Sequence, residues 1–231
     1  MPYTVDTLID WYGKIPRDGL IVARGEVHLP KKLKGQTVLI IGCRDGKAVE
    51  KAAEKVGAGG MVVGLDWDGA FISTAIGHQK AHAKSLGLKD PNTDYRLGLP
   101  EDLATCGFPD ECMDLVFIDS VLNLTYDPER VLKEAFRVLK KGGVLFHDTV
   151  VADRDIPAGI RRDEALCGNS VGAAFTAGEL DLLLMKVGFT GVAHPDRSVL
   201  PVEDRPKSRE HEDDLSKVPF TQAIVSALKP L

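Results

Sequence analysis

Several features that would assign this chain to a simple class are scarce or absent among its 231 residues. It has four cysteines and no Cys-x-x-Cys pair, which argues against a disulfide scaffold and predicts reduced thiols in a cytoplasmic protein. No apolar run approaches the roughly 20 residues of a membrane span, and the first residues lack the pattern of a signal peptide. A net charge of −5 argues against a general binder of nucleic acid or membrane surfaces.

Apolar residues are plentiful, at 44% of the chain. This is enough for the core of one large α/β domain, so we predict a single domain over residues 1–231. Within it, 1–35 form an N-terminal helix and loop, and 149–177 form a cap insertion of mixed charges and small residues.

Apolar runs alternate with helical patterns along the chain. The predicted strands are 37–42, 61–66, 93–97, 113–119, 144–147, 190–194 and 220–228. The predicted helices are 5–12, 46–56, 69–86, 128–140 and 178–187. This order predicts a doubly wound, mainly parallel, seven-stranded sheet of the Rossmann-like α/β class, with an antiparallel last strand and the cap over the carboxyl ends of the strands.

The first strand runs directly into a turn bracketed by Gly42 and Gly46, and a helix follows. This arrangement predicts free backbone N–H groups and a positive helix end that face a ligand. Asp66 ends the second strand, where a carboxylate can accept hydrogen bonds from ribose hydroxyls. Trp67 either stacks on an adenine or packs in the core. The turn lacks the G-x-G-x-x-G spacing, which argues against a nicotinamide-dependent reductase.

Two later segments, 98–103 and 136–145, resemble the class I S-adenosylmethionine-dependent methyltransferases. Segments 11–14, 119–124, 128–139, 148–152, 166–174 and 201–204 resemble the arsenite methyltransferases within that class. The resemblance implies S-adenosylmethionine as cofactor. It implies cofactor contacts from Tyr12, Gly42, Cys43, Arg44, Gly46, Asp66, Trp67, Pro100, Glu101 and Asp119.

The chain departs from this family where the family binds trivalent arsenic through cysteines. Ser120 and Ser170 stand in the segments that carry two of those cysteines. A hydroxyl group cannot replace a soft thiolate at arsenic. We therefore expect methyl transfer to a small-molecule acceptor other than arsenite, with Ser120 and Ser170 on the acceptor side.

The cofactor turn departs as well, because Ile40 replaces the usual acid and Arg44 replaces the middle glycine. Arg44 either pairs with the cofactor's carboxylate, with Asp45 or Asp119 holding its ammonium, or fills the pocket. The second alternative predicts a degenerate, non-catalytic protein of the methyltransferase fold that acts as a binding or partner protein.

Two side chains are candidates for proton transfer. His147, at the predicted end of the fifth strand and the mouth of the site, either takes a proton from the acceptor or packs under the cap. Asp119 orients the cofactor, accepts the acceptor's proton, or caps the next loop. His78 and His82 have a spacing that suits a metal, but no acidic or cysteine partner accompanies them, so no metal site is predicted.

Overall fold

The computed structural model describes residues 3–15, 28–156, 171–199 and 218–231. The helices are α1 (Val5–Lys14), α2 (Lys47–Val56), α3 (Gly69–Ser85), α4 (Pro128–Val138) and α5 (Ala177–Val187), with a short 3-10 helix at Leu122–Leu124. The strands are β1 (Thr37–Ile41), β2 (Met61–Asp66), β3 (Thr93–Leu97), β4 (Met113–Asp119), β5 (Leu139–Ala152), β6 (Phe175–Thr176), β7 (Thr190–Val199) and β8 (Phe220–Leu228). No helix in these ranges is both long and apolar enough to cross a membrane.

The strands form one sheet in the order β3-β2-β1-β4-β5-β8-β7, and β6 adds a short parallel pairing to β5. Strands β1 to β5 are mutually parallel, whereas β8 runs antiparallel to both of its neighbours. The doubly wound α/β prediction is confirmed, with β6 as an eighth strand that the sequence pattern did not reveal. The order reverses between β1 and β4, and ligands bind at such a point in open α/β sheets, outside the carboxyl ends of the strands.

Each face of the sheet is covered by its own pair of helices. Helices α2 and α3 pack on the face that carries Val38, Ile40 and Phe117. Helices α4 and α5 pack on the opposite face, against Ile41 and Ile118. Strands β1 and β4 are therefore buried on both sides, which explains why their sequences are continuous apolar runs rather than alternating ones.

Strand β5 differs most from its prediction, because it begins at Leu139 and continues to Ala152 instead of spanning 144–147. The reason is tertiary pairing: β8 pairs with β5 from Val144↔Leu228 to Ala152↔Phe220. Residues 149–152 are thus sheet rather than the start of a cap, and this part of the cap prediction is wrong. Residues 157–170, the middle of the predicted cap, lie outside the described residues.

Candidate active site at the carboxyl edge of the sheet

The turn after β1 requires glycine at both ends. Gly42 has φ +81° and Gly46, which precedes α2, has φ +91°. A Cβ atom added to Gly42 would lie 2.4 Å from Cγ1 of Val121, in the segment after β4. The turn is thereby pressed against the end of β4. Arg44 also has a positive φ, +48°, which is unfavourable for a residue with a side chain.

The backbone N–H groups of this turn are used within the protein. Those of Gly42 and Cys43 donate to the carbonyl oxygen of Leu65, at 2.8 and 3.1 Å. The N–H of Arg44 donates to Oδ2 of Asp66 at 2.9 Å, and the N–H of Gly46 donates to Cys43 O at 2.9 Å. The prediction that the turn offers free N–H groups to a ligand is wrong for these four groups, because residues of β2 accept three of them and the turn's own Cys43 carbonyl accepts the fourth.

Asp66 ends β2 as predicted, and it fixes the turn. Besides the bond from Arg44, its Oδ1 accepts the N–H of Asp68 at 2.9 Å. The side chain is only 3% exposed, and burial raises the pKa of its carboxyl group. Each carboxylate oxygen keeps a second lone pair, which can accept a hydrogen bond from a ribose hydroxyl. Because the side chain is buried, such a contact requires the site to open slightly around the ligand. Ribose binding by Asp66 therefore stays a prediction.

Ile40 and Arg44, the two residues that differ from the family's cofactor turn, lie in different surroundings. Ile40 is fully buried in the core beneath α2 and α3. The guanidinium carbon of Arg44 lies 5.6 Å from the centre of the Phe71 ring, on the first turn of α3. Arg44 is thus held beside the turn, on the α3 side.

Helix α1 lies across the edge and is fastened by two side chains. The hydroxyl of Tyr12 donates to both carboxylate oxygens of Glu101, at 2.8 and 2.9 Å. The indole Nε1 of Trp11 donates to Leu124 O at 2.9 Å. The Tyr12 ring also packs on the ring of Trp67, with centroids 4.6 Å apart and planes inclined by 32°.

Glu101 serves as the anchor for this helix and for the segment before α4. Its Oε1 also accepts the N–H groups of Tyr126 and Asp127, at 3.2 and 3.3 Å. Burial raises the pKa values of both Glu101 and Tyr12. Pro100, immediately before it, is buried. The cofactor contacts predicted for Tyr12, Pro100 and Glu101 stay predictions, and the structure adds an internal role for Tyr12 and Glu101.

A cavity of about 320 Å³ opens between α1 and the ends of β2 and β3. Its walls are formed by Ile9, Tyr12, Gly13, Ile15, Trp67, Asp68, Gly69 and Leu99. Aromatic and aliphatic walls with one carboxylate suit a flat ring that carries N–H donors. The Trp67 ring packs on Tyr12 and also lines this cavity. Stacking of Trp67 on an adenine stays a prediction.

Asp119 ends β4 on the other side of β1, as predicted. Asp148 on β5 is its register partner, so both carboxyl groups lie on the same face of the sheet. Burial, together with the charge of Asp148, raises the pKa of Asp119 to about 7, although the Arg44 charge opposes this shift. Among the predicted site residues, Asp119 therefore has the titration best placed for proton transfer near neutral pH.

Sequence reasoning assigned no role to Asp148, Gln222 or His28. Asp148 is 4% exposed, and its Oδ1 accepts a hydrogen bond from Gln222 Nε2 at 2.9 Å. His28 Nδ1 lies 4.0 Å from Asp148 Oδ2. One sequence signal was available, since Gln222 is the single amide of strand β8, whose other residues except Ser226 are apolar or β-branched.

Ser120 has a strained backbone, with φ +60°. Its N–H donates to Asp148 O at 3.0 Å, which ties the end of β4 to β5 and holds the two aspartates side by side. Strained residues of this kind cluster at functional sites. Ser170, the other predicted acceptor-side residue, lies outside the described residues.

The prediction that His147 lies at the mouth of the site is wrong. It is five residues from the end of β5, only 1% exposed, and its Nδ1 lies 3.1 Å from Ile118 O. Burial lowers the pKa of His147 to about 4. Because successive residues of a strand face opposite sides, it also points away from the Asp119 and Asp148 face. A general-base role for His147 therefore has no geometric support.

The thiols within the described residues do not converge at this edge. Cys43 is buried under the turn, and Cys106 and Cys112 lie in the segment between β3 and β4. Burial raises the pKa of each, which keeps them protonated rather than as thiolates. In the same described ranges, no group of three or more His, Cys, Asp or Glu residues is arranged to hold a metal ion; His78 and His82 lie on α3.

Comparison with known protein families matches a methyltransferase domain to residues 32–188. The chain belongs to the methyltransferase domain family. The match covers the glycine turn, Asp66, Asp119 and Asp148. The predicted class I S-adenosylmethionine-dependent methyltransferase family is thereby confirmed.

Individual relatives of the chain agree with the family. The arsenite methyltransferase of Aquipseudomonas alcaligenes is 36% identical over 161 residues, which are 70% of this chain and 46% of that protein. The human arsenite methyltransferase is 32% identical over 161 residues, 70% of this chain and 43% of that protein. The matched region thus spans less than half of these curated relatives. A crystal structure of an arsenic (III) S-adenosylmethionine methyltransferase from Chlamydomonas reinhardtii is 28% identical, with a TM-score of 0.80 and coverage of 100% of this chain and 74% of that one.

The residues at this edge of the sheet fit a nucleoside sulfonium compound. The cavity beside Trp67 offers flat apolar walls, and Asp68 lies at its rim. The Gly42–Gly46 turn brings the backbone close to the edge, where the carboxyl groups of Asp66 and Asp119 place negative charge on either side of β1. Arg44 is held toward Phe71, and it is not among the residues that line the cavity.

Proposed function

We propose that this protein is a methyltransferase that uses S-adenosylmethionine to methylate a small-molecule acceptor other than trivalent arsenic. The observation that carries the proposal is the composition of the carboxyl edge. The end of β4 presents Asp119 and Ser120 next to Asp148, and none of the three cysteines in the described ranges lies in this group. Carboxylate and hydroxyl oxygens are hard ligands, whereas arsenic binding depends on soft thiolates.

The cofactor, when bound, supplies a methyl group activated by a positively charged sulfur. The Gly42–Gly46 turn, Asp66, Trp67, Tyr12 and Asp119 are the residues that would hold it. The carboxyl groups of Asp66 and Asp119 favour a positively charged ligand at this edge. Helix α1, fastened through Tyr12, covers the same edge and helps to exclude water.

The protein's contribution to the reaction is mainly alignment. A displacement at a methyl group requires the acceptor atom, carbon and leaving atom to lie in line, and positioning of this kind contributes about 7–11 kcal/mol to catalysis. The short turn against Val121 and the Ser120 bond to Asp148 give the edge the rigidity that alignment needs. An acceptor that carries a proton also requires a base, and Asp119 is the candidate at this position.

Two measurements test the proposal. Calorimetry with S-adenosylmethionine and S-adenosylhomocysteine is expected to show micromolar binding of both. Incubation with arsenite, thiol and S-adenosylmethionine, followed by arsenic speciation, is expected to yield no methylarsenical. Substantial methylarsenical would contradict the acceptor assignment while leaving methyl transfer in place.

A second candidate function, a non-catalytic binding or partner protein, is favoured by the internal use of the turn's N–H groups and by the strained Arg44. The same calorimetry separates the two. Absence of binding at millimolar S-adenosylmethionine would favour this second function over an enzyme.

A further inference from the structure

Three oxygen-bearing side chains from three neighbouring strands lie side by side on the β4 side of the switch point, with Asp148 between the other two. Asp119 comes from β4, Asp148 from β5 and Gln222 from β8. Asp148 and Gln222 are each 4% exposed. Two carboxyl groups enclosed together are costly in free energy unless a proton or a cation compensates them. Carboxyl and amide oxygens grouped in this way favour a ligand that carries positive charge and N–H donors.

Unmet hydrogen-bonding atoms lie at the same cluster. In the part of the chain that the structure describes, Gln222 Oε1 and His28 Nδ1 are buried and have no hydrogen-bond partner. Gln222 Oε1 belongs to the amide whose nitrogen holds Asp148, so it lies beside that carboxyl group. Buried polar atoms are ordinarily paired, and an unpaired acceptor next to two carboxyl groups indicates that a ligand supplies the donor.

We propose that Asp119, Asp148 and Gln222 form the acceptor site and that the acceptor is a primary or secondary amine, a proposal that rests on the methyltransferase function above. An ammonium group carries positive charge and two or three N–H donors. These properties match two carboxyl groups and one amide oxygen. An alcohol or thiol offers a single donor and no charge, so it is less complementary to these three side chains.

The reaction at this site balances with one proton transferred. A carboxylate of the Asp119 and Asp148 pair takes one proton from the ammonium group, which frees the nitrogen lone pair. That lone pair forms the new bond to the methyl carbon while the carbon–sulfur bond breaks and its electron pair stays on sulfur. The products are the N-methylammonium compound and S-adenosylhomocysteine, and the carboxyl group afterwards releases its proton to water.

The surroundings of Asp119 tune this base. Asp148 faces it from β5, Arg44 from the glycine turn, and His28 approaches Asp148 from the segment before β1; Gln222 from β8 is uncharged. A base that titrates near the working pH is the most effective. Removing the Asp148 charge relieves one of the two causes that raise the pKa of Asp119, so the Asp148→Asn variant should titrate at lower pH.

The test uses the full chain with S-adenosylmethionine and two matched probe series. One is benzylamine, benzyl alcohol and benzyl mercaptan; the other is ethanolamine, ethylene glycol and 2-mercaptoethanol. Formation of S-adenosylhomocysteine reports transfer, and calorimetry of benzylamine into the S-adenosylhomocysteine complex reports acceptor binding without turnover. The variants are Asp148→Asn and Gln222→Leu. The control is Asp114→Asn, which alters a carboxylate at the opposite end of β4.

We expect transfer to the amine in each series and not to its alcohol or thiol. Asp148→Asn should lower kcat/KM for the amine by about 100-fold and shift the rising limb of its pH profile to lower pH. Gln222→Leu should lower kcat/KM by about 10-fold. Both variants should bind S-adenosylmethionine as the parent does, and Asp114→Asn should retain the parent's amine activity.

Preference for an alcohol or thiol, or an unchanged amine rate in Asp148→Asn, would overturn the amine assignment but preserve the methyltransferase function. Binding of S-adenosylmethionine without transfer to either amine would also overturn the assignment. Failure of the parent protein to bind S-adenosylmethionine would instead refute the proposed function itself.

Discussion

The carboxyl edge of the sheet has two halves, which differ in how their polar groups are hydrogen-bonded. The glycine-turn half consists of the Gly42–Gly46 turn and Asp66, whose N–H and carboxylate groups bond to one another. The carboxylate half consists of Asp119, Asp148 and Gln222, where two carboxyl groups are neighbours and Gln222 Oε1, among the described residues, has no partner.

This difference separates a scaffold from a reactive surface. The N–H and carboxylate groups of the glycine-turn half are hydrogen-bonded within the protein. This half therefore keeps its shape and can position a ligand mainly by steric fit. The carboxylate half stores unfavourable electrostatics that a ligand can relieve. Perturbed titration of this kind is typical of functional sites, and the contrast supports the proposal that the acceptor binds on the β4 and β5 side of the switch point.

The largest expected effect comes from breaking the glycine-turn half with Gly42→Ala. The new methyl group would meet Val121 Cγ1 at 2.4 Å at a φ of +81°, so overpacking and strain should together cost about 2–5 kcal/mol. Urea denaturation measures the loss, and S-adenosylmethionine affinity should fall with it. Gly59→Ala is the control, because an added Cβ there meets nothing within 4 Å. Equal stability of the two variants would contradict the role of the turn.

The carboxylate half can be probed through the pH dependence of stability. Burial and Asp148 raise the pKa of Asp119 from 3.8 to about 7, so between these values the folded state binds more protons than the unfolded state. The free energy of unfolding should therefore fall as pH rises, by about 2 kcal/mol between about pH 5 and 7 from this group. His147, whose pKa burial lowers to about 4, changes the free energy of unfolding in the opposite direction over this range. The quantity to measure is therefore the difference in pH dependence between the parent and each variant in denaturation at several pH values. From pH 5 to 7, the free energy of unfolding of Asp119→Asn should fall by about 2 kcal/mol less than that of the parent, whereas Asp114→Asn should follow the parent. An equal pH dependence of the parent and Asp119→Asn would exclude Asp119 as the source.

A smaller effect is expected where α1 is fastened over the edge. Tyr12→Phe removes a hydroxyl that donates to Glu101 at 2.8 and 2.9 Å, and it should cost about 1–2 kcal/mol because Glu101 stays buried with fewer donors. Tyr126→Phe is the matched control, since Tyr126 is 41% exposed and its ring contact with Trp11 is retained. Chemical denaturation compares the two. A loss of equal size in both would argue against the Tyr12–Glu101 contact.

The smallest effect concerns the strained residue of the turn. Arg44→Gly and Arg44→Ala both remove the guanidinium near Phe71, but only glycine adopts φ +48° without strain. Arg44→Gly should therefore be more stable than Arg44→Ala by about 0.5–1 kcal/mol in thermal or urea unfolding. Calorimetry of the pair also measures the effect of Arg44 on S-adenosylmethionine binding. A more stable Arg44→Ala would show that the turn relaxes when the side chain is shortened.

Much of the fold could be predicted because its signals are local. Strands β2, β3, β4 and β8 begin and end at the predicted residues, since each is an apolar or β-branched run between turns. Strand β5 was predicted too short because its extension depends on pairing with β8, about 70 residues away in the chain. Helix α4 ends at Val138 rather than 140 because Leu139 already pairs with Met113 of β4.

The site was predictable only where one residue carries the signal. Gly42, Asp66 and Asp119 stand at strand ends that the pattern reveals. The importance of Asp148 and Gln222 arises from a contact between residues 74 apart in sequence, which no local pattern encodes. His147 was misplaced because it faces the side of the sheet opposite to its neighbour Asp148, where its side chain is buried.

The attachment of α1 has a consequence for how the chain matures as it leaves the ribosome. Its two fastening bonds reach partners 113 and 89 residues further along the chain. Helix α1 is synthesised before both partners, and its docking surface does not exist until β4 and the start of α4 have emerged. Closure over the edge is therefore a late event of biogenesis, and a nascent chain halted before residue 101 would carry α1 without a surface to receive it.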